Sequence, residues 1–257
     1  LILIDMGAII VPLTIDTEPE HEYFFESALV DIVIKGDSIT RRKHSRKCHI
    51  IETLKEKNHA GLVFFSTGTT GPPKAILHDS TLFFKRFETP RPTYRTLSFL
   101  LFDHLGGLNT LFHTLFNKGV VVAPTSRTVD GILTDCEKYK VEVLPATPTF
   151  LRLMLMSGTV PDKISSHLKI ISYGTEAMDQ STLSDLCKLL PRIDFRQTFG
   201  VSELGVIRAK SESRNSLFMN LGGEGVEVRV IDDILQIRSQ FCMLGYLNAP
   251  TPFDIEG

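Results

Sequence analysis

The chain has 257 residues, 42% hydrophobic and 23% charged, enough to bury a sizeable core as one large domain or two smaller ones. Its net charge of -2 gives no basic field for a nucleic-acid partner, and the one basic cluster (Arg41, Arg42, Lys43, Arg46, Lys47) has no aromatic interleaving and reads as a solvated loop. Cys48, Cys136, Cys187 and Cys242 stand singly, which excludes a metal-ligand spacing and a disulfide-dense scaffold and points to a reducing, cytoplasmic compartment; no apolar run reaches the roughly 18 residues of a membrane span.

The sequence begins at Leu1 without a methionine, inside an apolar stretch, and stops at Gly257 after a Pro-rich turn, so both ends are expected to be cut. Apolar runs bounded by Gly, Pro or polar residues predict buried parallel strands at 61–65, 119–123, 141–144, 168–172 and 193–198. Between them, helices are predicted at 80–87, 107–117, 130–140 and 179–190, with Ser80, Asp130 and Asp179 as N-caps. The expected fold class is α/β, with largely parallel layered sheets, flanking helices and a small C-terminal antiparallel β-subdomain. That last part comes from 225–239, where apolar and polar residues alternate around Asp232-Asp233. The expected division is an α/β core over 1–210 and a β-barrel-like subdomain over 211–257.

Three segments carry candidate chemistry. Residues 64–76 read Phe-Phe-Ser-Thr-Gly-Thr-Thr-Gly-Pro-Pro-Lys-Ala-Ile. Gly68 and Gly71 let a backbone turn with its N–H groups outward, Ser66, Thr67, Thr69 and Thr70 add hydroxyls, and Lys74 adds a positive charge. These residues suit a nucleotide phosphate; taken alone, they also make an ordinary surface turn. The segment is not a Walker A loop, because Lys74 lies between Pro73 and Ala75. Residues 171–176 (Ile-Ser-Tyr-Gly-Thr-Glu) and 197–203 (Gln-Thr-Phe-Gly-Val-Ser-Glu) each follow an apolar run, and ligands of doubly wound sheets bind beyond the carboxyl ends of strands. Together they offer an aromatic face for a purine, from Phe199 or Tyr173, and Glu203 as an oxygen ligand for Mg²⁺. Taken singly, a residue such as Phe199 is more often core than a base platform, and one such as Glu203 more often solvated surface.

In this order the segments resemble the adenylate-forming superfamily: acyl- and aryl-CoA ligases, adenylation domains of peptide synthetases, and luciferase. The signature loop Thr-Ser-Gly-Thr-Thr-Gly-x-Pro-Lys-Gly is similar to 66–75, with the first two hydroxyl residues exchanged and Ala75 for the last glycine. The Tyr-Gly-x-Thr-Glu motif is similar to Phe199-Gly200-Val201-Ser202-Glu203, and the resemblance continues at Tyr173-Gly174-Thr175-Glu176, at 225–238 and at Met243-Leu244-Gly245-Tyr246. It implies that 66–74 hold the ATP phosphates, that Tyr173, Gly174, Thr175, Glu176, Phe199 and Gly200 hold the adenosine, that Ser202 meets the α-phosphate and that Glu203 binds magnesium. Lys74, Ser202 and Glu203 are then the catalytic residues. The implied reaction joins a carboxylic acid to ATP as an acyl-adenylate, releases pyrophosphate, and passes the acyl group to a thiol, that of CoA or of a carrier protein, as in fatty acid metabolism.

Substrate class hangs on Phe102-Asp103-His104-Leu105-Gly106-Gly107. His104 followed by Gly106 and Gly107 resembles CoA ligases, whereas Phe102-Asp103 resembles amino-acid adenylation domains, in which the aspartate pairs the substrate amine. The acid-ligase reading is preferred, with Asp103, His104, Gly107 and Gly174 as substrate contacts. Some features depart from the family. Asp233-Ile234-Leu235 and Ser239 stand where Gly-Glu-Leu and the last glycine of Ile-Arg-Gly are usual. The ribose-gripping Thr-Gly-Asp and the C-terminal lid domain with its catalytic lysine lie beyond Gly257 in the family, so the chain is expected to be an incomplete catalyst. The remaining alternative is a nucleotide- or adenylate-binding module without full turnover.

Overall fold

The computed structural model describes residues 1–44, 46–66, 71–223 and 225–253. Its centre is a five-stranded, wholly parallel sheet in the order Asp194–Gln197, Ile170–Tyr173, Val143–Ala146, Arg95–Leu97, Val120–Val122. Four of these strands overlap the predicted runs, Ile170–Tyr173 by all but its last residue and Val143–Ala146 by its first two. The three-residue Arg95–Leu97 escapes notice because only Leu97 of it is apolar. Leu97, Leu144, Ile171 and Phe195 project from the sheet into one core with Ile132 and Leu133 of helix Val129–Lys138, Leu151 and Met154 of helix Pro148–Ser157, and Leu183 and Leu186 of helix Gln180–Leu189. Helices cover a parallel sheet, which is why its strands read as continuous apolar runs.

The strand Gly61–Phe65 does not join that sheet, and here the expectation of parallel neighbours needs correcting. It runs parallel to Ile9–Ile10 but antiparallel to Ala75–Asp79, which in turn pairs antiparallel with Gly245–Tyr246. Both faces of this four-stranded sheet are covered. Val63 and Leu77 meet Ile51 and Leu54, while Leu62 and Phe64 meet Phe83, Leu108 and Phe112. A strand buried on both sides loses its alternation whatever its pairing, so the sequence pattern could not distinguish the two sheets.

Helix caps differ by a residue or two from expectation. Asp79 rather than Ser80 caps helix Ser80–Lys85, accepting from Thr81 N–H, and Thr128 rather than Asp130 caps Val129–Lys138, accepting from Gly131 N–H. Asp179 caps Gln180–Leu189 as expected. Antiparallel pairing sets in at Phe199, ahead of Ser211, through Phe199–Val201 with Gly205–Ile207 and Ala209–Ser211 with Met219–Leu221. The hairpin Val226–Ile231/Ile234–Ser239 follows, and its Asp232-Asp233 turn has φ of 50° and 62°, the mirror-image turn that suits strand twist.

Leu144 is fully buried between the sheet neighbours and helices named above. Replacing Leu144 with Ala should lower unfolding free energy by about 2–5 kcal/mol, read as a reduced urea midpoint at unchanged slope.

Candidate active site

The 66–74 segment connects the two long strands of the mixed sheet, and its ends are tied to each other. Ser66 N–H donates to Lys74 O at 3.0 Å, and Lys74 N–H donates to Ser66 Oγ at 2.9 Å. Beyond the closure, Asn248 accepts from Ala75 N–H at 2.9 Å and donates to Pro73 O at 3.1 Å, an oxygen that also accepts from the Tyr23 hydroxyl at 2.8 Å. Lys74 therefore has a fixed backbone and an exposed side chain, and among the described residues its ammonium forms no ion pair. Thr67, Gly68, Thr69 and Thr70, the middle of the expected phosphate loop, lie outside the described residues.

The other two motifs meet at the ends of the two adjoining parallel strands Ile170–Tyr173 and Asp194–Gln197. Thr198 N–H donates to Tyr173 O at 2.8 Å and its hydroxyl donates to the same oxygen at 3.1 Å. Gly174 is needed at this junction, because a methyl group there would stand 2.3 Å from Thr198 Oγ1 and 2.8 Å from Thr198 O. Thr175 follows in the left-handed region at φ 70°, a strained state for a β-branched residue. The exposed Glu176 carboxylate accepts from the Thr149 hydroxyl at 2.6 Å and from Thr149 N–H at 3.1 Å, at the N-terminus of helix Pro148–Ser157. Negative charge is favoured there, so Glu176 holds the 174–176 loop against that helix.

Of the two aromatic candidates, Tyr173 is only 2% exposed and lies in the main core, and burial raises its phenol to about 12. Its ring is therefore core, not a platform for a base. Phe199 is half-buried on the Phe199–Val201 strand, which leads through Gly200 into Ser202 and Glu203.

Ser202 and Glu203 are held from two directions. The Ser202 carbonyl accepts from His78 Nε2 at 2.7 Å. His78 is buried against Phe64 and Phe83; burial outweighs that hydrogen bond and pulls its imidazole down to about 4, with nearby Arg86 acting in the same direction as burial. Glu203 is half-buried; its carbonyl accepts from Met243 N–H at 2.7 Å and its Oε1 from the Tyr246 hydroxyl at 2.7 Å. The Lys74 ammonium sits 4.9 Å from the centre of that same Tyr246 ring. Contacts thus run without a break from Tyr173 through Thr198 and the 199–203 segment to Tyr246 and Lys74.

At the candidate substrate end, a methyl group on Gly106 would lie 3.4 Å from Thr175 Cγ2, so the start of helix Leu105–Phe116 touches the 174–176 loop. His104 is the N-cap residue of that helix and its side chain is 57% exposed. Asp103 is buried, and its Oδ2 accepts from the Thr14 hydroxyl at 2.6 Å. Among the described residues its Oδ1 has no hydrogen-bond partner; it lies 3.8 Å from His104 Nε2. Gly107 has a packing reason of its own: a methyl group there would stand 1.9 Å from Leu101 O, so close backbone approach by itself requires a glycine at this position.

A family model for AMP-binding enzymes matches residues 3–246. The chain belongs to the AMP-binding enzyme family. As a member of it, the chain is 25% identical over 189 residues to Acyl-CoA synthetase 7 of Caenorhabditis elegans, covering 67% of itself and 34% of that protein. It is 24% identical over 186 residues to Nonribosomal peptide synthetase GRA1 of Gibberella zeae, covering 70% of itself and 2% of that protein. The chain therefore spans only a minor part of the length of either relative. The N-terminal subdomain of Klebsiella oxytoca NpsA, solved with anthranilyl-AMSN, superposes with a TM-score of 0.72 at 15% identity over 95% of this chain and 70% of that one. Its fold is that of the N-terminal domain of adenylate-forming enzymes.

Tyr246 lies within a segment that resembles the family but carries no role visible in the sequence, and Tyr23, His78 and Asn248 stand outside every motif. Each acts across a long stretch of chain on a backbone group or a single oxygen, and no local pattern marks such a contact.

The depressed His78 imidazole predicts a pH dependence of stability. Unfolded, His78 takes a proton near pH 6.5; folded, it refuses one until about pH 4, so stability is complete above 6.5 and falls as pH drops through that window. The loss should approach about 3 kcal/mol at the lower end. Urea midpoints measured across this range should flatten in His78→Gln, which keeps a donor for Ser202 O and does not titrate.

Proposed function

We propose that the protein carrying this chain activates a carboxylic acid with ATP and transfers the acyl group to a thiol, most simply that of CoA. A carboxylate oxygen attacks the α-phosphorus, the bond to the pyrophosphate oxygen breaks, and an acyl-adenylate and pyrophosphate result. The observation that carries the reading is the convergence of Lys74, from the closed 66–74 loop, and Glu203, from the 199–203 segment, on one tyrosine. A fixed cation beside a carboxylate suits a triphosphate with its metal, because phosphoryl chemistry needs positioning and charge neutralisation more than a covalent group.

The residues fit Mg²⁺. Among the described residues no three His, Cys, Asp or Glu side chains cluster as a metal site, and no second hydrogen bond reaches the Glu203 carboxylate. Magnesium in nucleotide sites is held by one or two carboxylates plus the phosphates themselves, so a single Glu203 suffices. When bound, it supplies neutralisation of the phosphate charge. In this reading Ser66 closes the phosphate loop, Lys74 draws the triphosphate, Ser202 faces the α-phosphate, Phe199 stacks on the adenine and Gly174 lets the base lie close to the strand end. Residues 1–210 then carry most of the nucleotide and acid contacts, with 211–257 as a β-subdomain whose Gly245–Tyr246 returns to the mixed sheet beside Ala75–Asp79. Four free cysteines support a reducing, cytoplasmic setting. Among the described residues no helix is long and apolar enough to cross a membrane.

Exchange of labelled pyrophosphate into ATP, tested against a panel of acids with the intact protein, checks this. Lys74→Ala and Glu203→Gln should each lower exchange on the order of a hundredfold, the usual cost of one lost electrostatic group. Unchanged exchange in both would remove the site assignment, and ATP binding without exchange for any acid would favour a nucleotide-binding module.

One observation favours a second substrate class. The unpartnered Oδ1 of buried Asp103 is an acceptor awaiting a donor, which the ammonium of an amino acid would supply. If amino acids are the substrates, Asp103→Ala should abolish their exchange; if free acids are, the variant should retain most of its activity toward them.

A further inference from the structure

We infer that Tyr246 is a positioning residue for the phosphate end of the site: its hydroxyl sets the orientation of the Glu203 carboxylate while its ring face holds Lys74 in place. The inference rests on the reading of Glu203 and Lys74 given above. Tyr246 is itself well placed for the task, being 7% exposed and paired through its backbone with Ile76 of the strand that leaves the phosphate loop. One short segment, 243–246, grips Glu203 twice, by Met243 N–H on its carbonyl and by the Tyr246 hydroxyl on Oε1, both at 2.7 Å. A half-buried glutamate has three side-chain torsions to fix, and this hydroxyl is the single hydrogen-bond donor to its carboxylate among the described residues. With Oε1 holding the hydroxyl, the carboxylate plane is fixed and Oε2 is left without a hydrogen bond among the described residues. The 4.9 Å contact of Lys74 with the ring means that one side chain spaces the cationic and anionic groups of the site.

Outer partners of metal-binding carboxylates are worth roughly 10- to 100-fold in metal affinity. Binding of Mn²⁺ to the protein in the presence of ATP, with free Mn²⁺ counted by electron paramagnetic resonance, should therefore weaken about 10-fold in Tyr246→Phe. Metal-free ATP affinity should stay unchanged, because the ring under Lys74 remains. In a Glu203→Gln background the same substitution should have no further effect. If Tyr246→Phe binds Mn²⁺ as wild type does while Glu203→Gln loses it, or if the Tyr246→Phe loss persists in the Glu203→Gln background, this inference alone is overturned. If Glu203→Gln binds Mn²⁺ normally, or wild type shows no ATP-dependent Mn²⁺ binding, the underlying reading of Glu203 fails and takes the inference with it.

A second measurement needs no change at Tyr246. Within these 257 residues there are five tyrosines and no tryptophan, so Tyr246 emission is read against four other phenols of this chain. A phenol donating to a carboxylate is quenched, and Glu203→Gln should raise the emission; no change would overturn the contact.

Discussion

Gly245 and Tyr246 pair antiparallel with Leu77 and Ile76, and the candidate site depends on this two-residue ladder. Leu244 N–H donates to Leu77 O at 2.7 Å and Leu247 N–H to Ala75 O at 2.9 Å, so four consecutive residues are registered against the strand that ends the phosphate loop. From that register Tyr246 reaches Glu203, Met243 reaches the Glu203 carbonyl and Asn248 reaches Pro73 and Ala75. A slip by one residue would turn Tyr246 to the opposite face, because side chains alternate along a strand. The site would then lose its link between loop and carboxylate at once.

The register is itself protected by polar groups that are buried but satisfied. At the far end of the same strand, the Asp79 carboxylate accepts from Thr81 N–H and meets His59 Nδ1 at 2.8 Å, and the Ser80 hydroxyl donates to Ala60 O at 2.8 Å. His78 donates to Ser202 O in the same stretch. A buried polar group left without its partner costs about 1–3 kcal/mol, so alternative pairings of this strand are disfavoured by each of the three residues. Arg86 adds a different constraint. Its guanidinium lies over the Phe83 and Phe241 rings and donates to Phe241 O, which joins helix Ser80–Lys85 to the stretch leading to Tyr246; burial lowers it to about 10, still charged at neutral pH.

These satisfied polar groups also explain what could be read from sequence. Four of the five parallel strands and four helices follow from apolar runs and periodicity, because burial on both faces writes itself into consecutive residues. Ala75–Asp79 was missed because His78 and Asp79 look like a solvated exit after Pro72 and Pro73, and only their distant partners make them interior. Helix Pro148–Ser157 went unread although it carries Thr147 as N-cap, Pro148 at its first position and Gly158 as a left-handed C-cap. Its neighbouring strand, Val143–Ala146, supplies apolar residues without a break and hides the change of period. The chemistry-bearing residues at 66–74, 174–176 and 199–203 were legible as motifs. Their meeting was not, since Glu203 and Tyr246 are joined by a contact across 43 positions that neither motif contains.

That contact narrows what the carboxylate can do. Burial, with Glu203 beside it, pushes the Tyr246 phenol up, so the hydroxyl keeps its proton through the neutral range and remains a donor. A proton donor on Oε1 fixes the orientation of the carboxylate and, among the described residues, leaves Oε2 without a hydrogen bond. A lone carboxylate is a weak holder of a free divalent ion and an adequate one for an ion whose other ligands are phosphates and water. In the function proposed above, Glu203 would then act only when a triphosphate is present, and Lys74, held on the same ring, would be the charge that draws the triphosphate in.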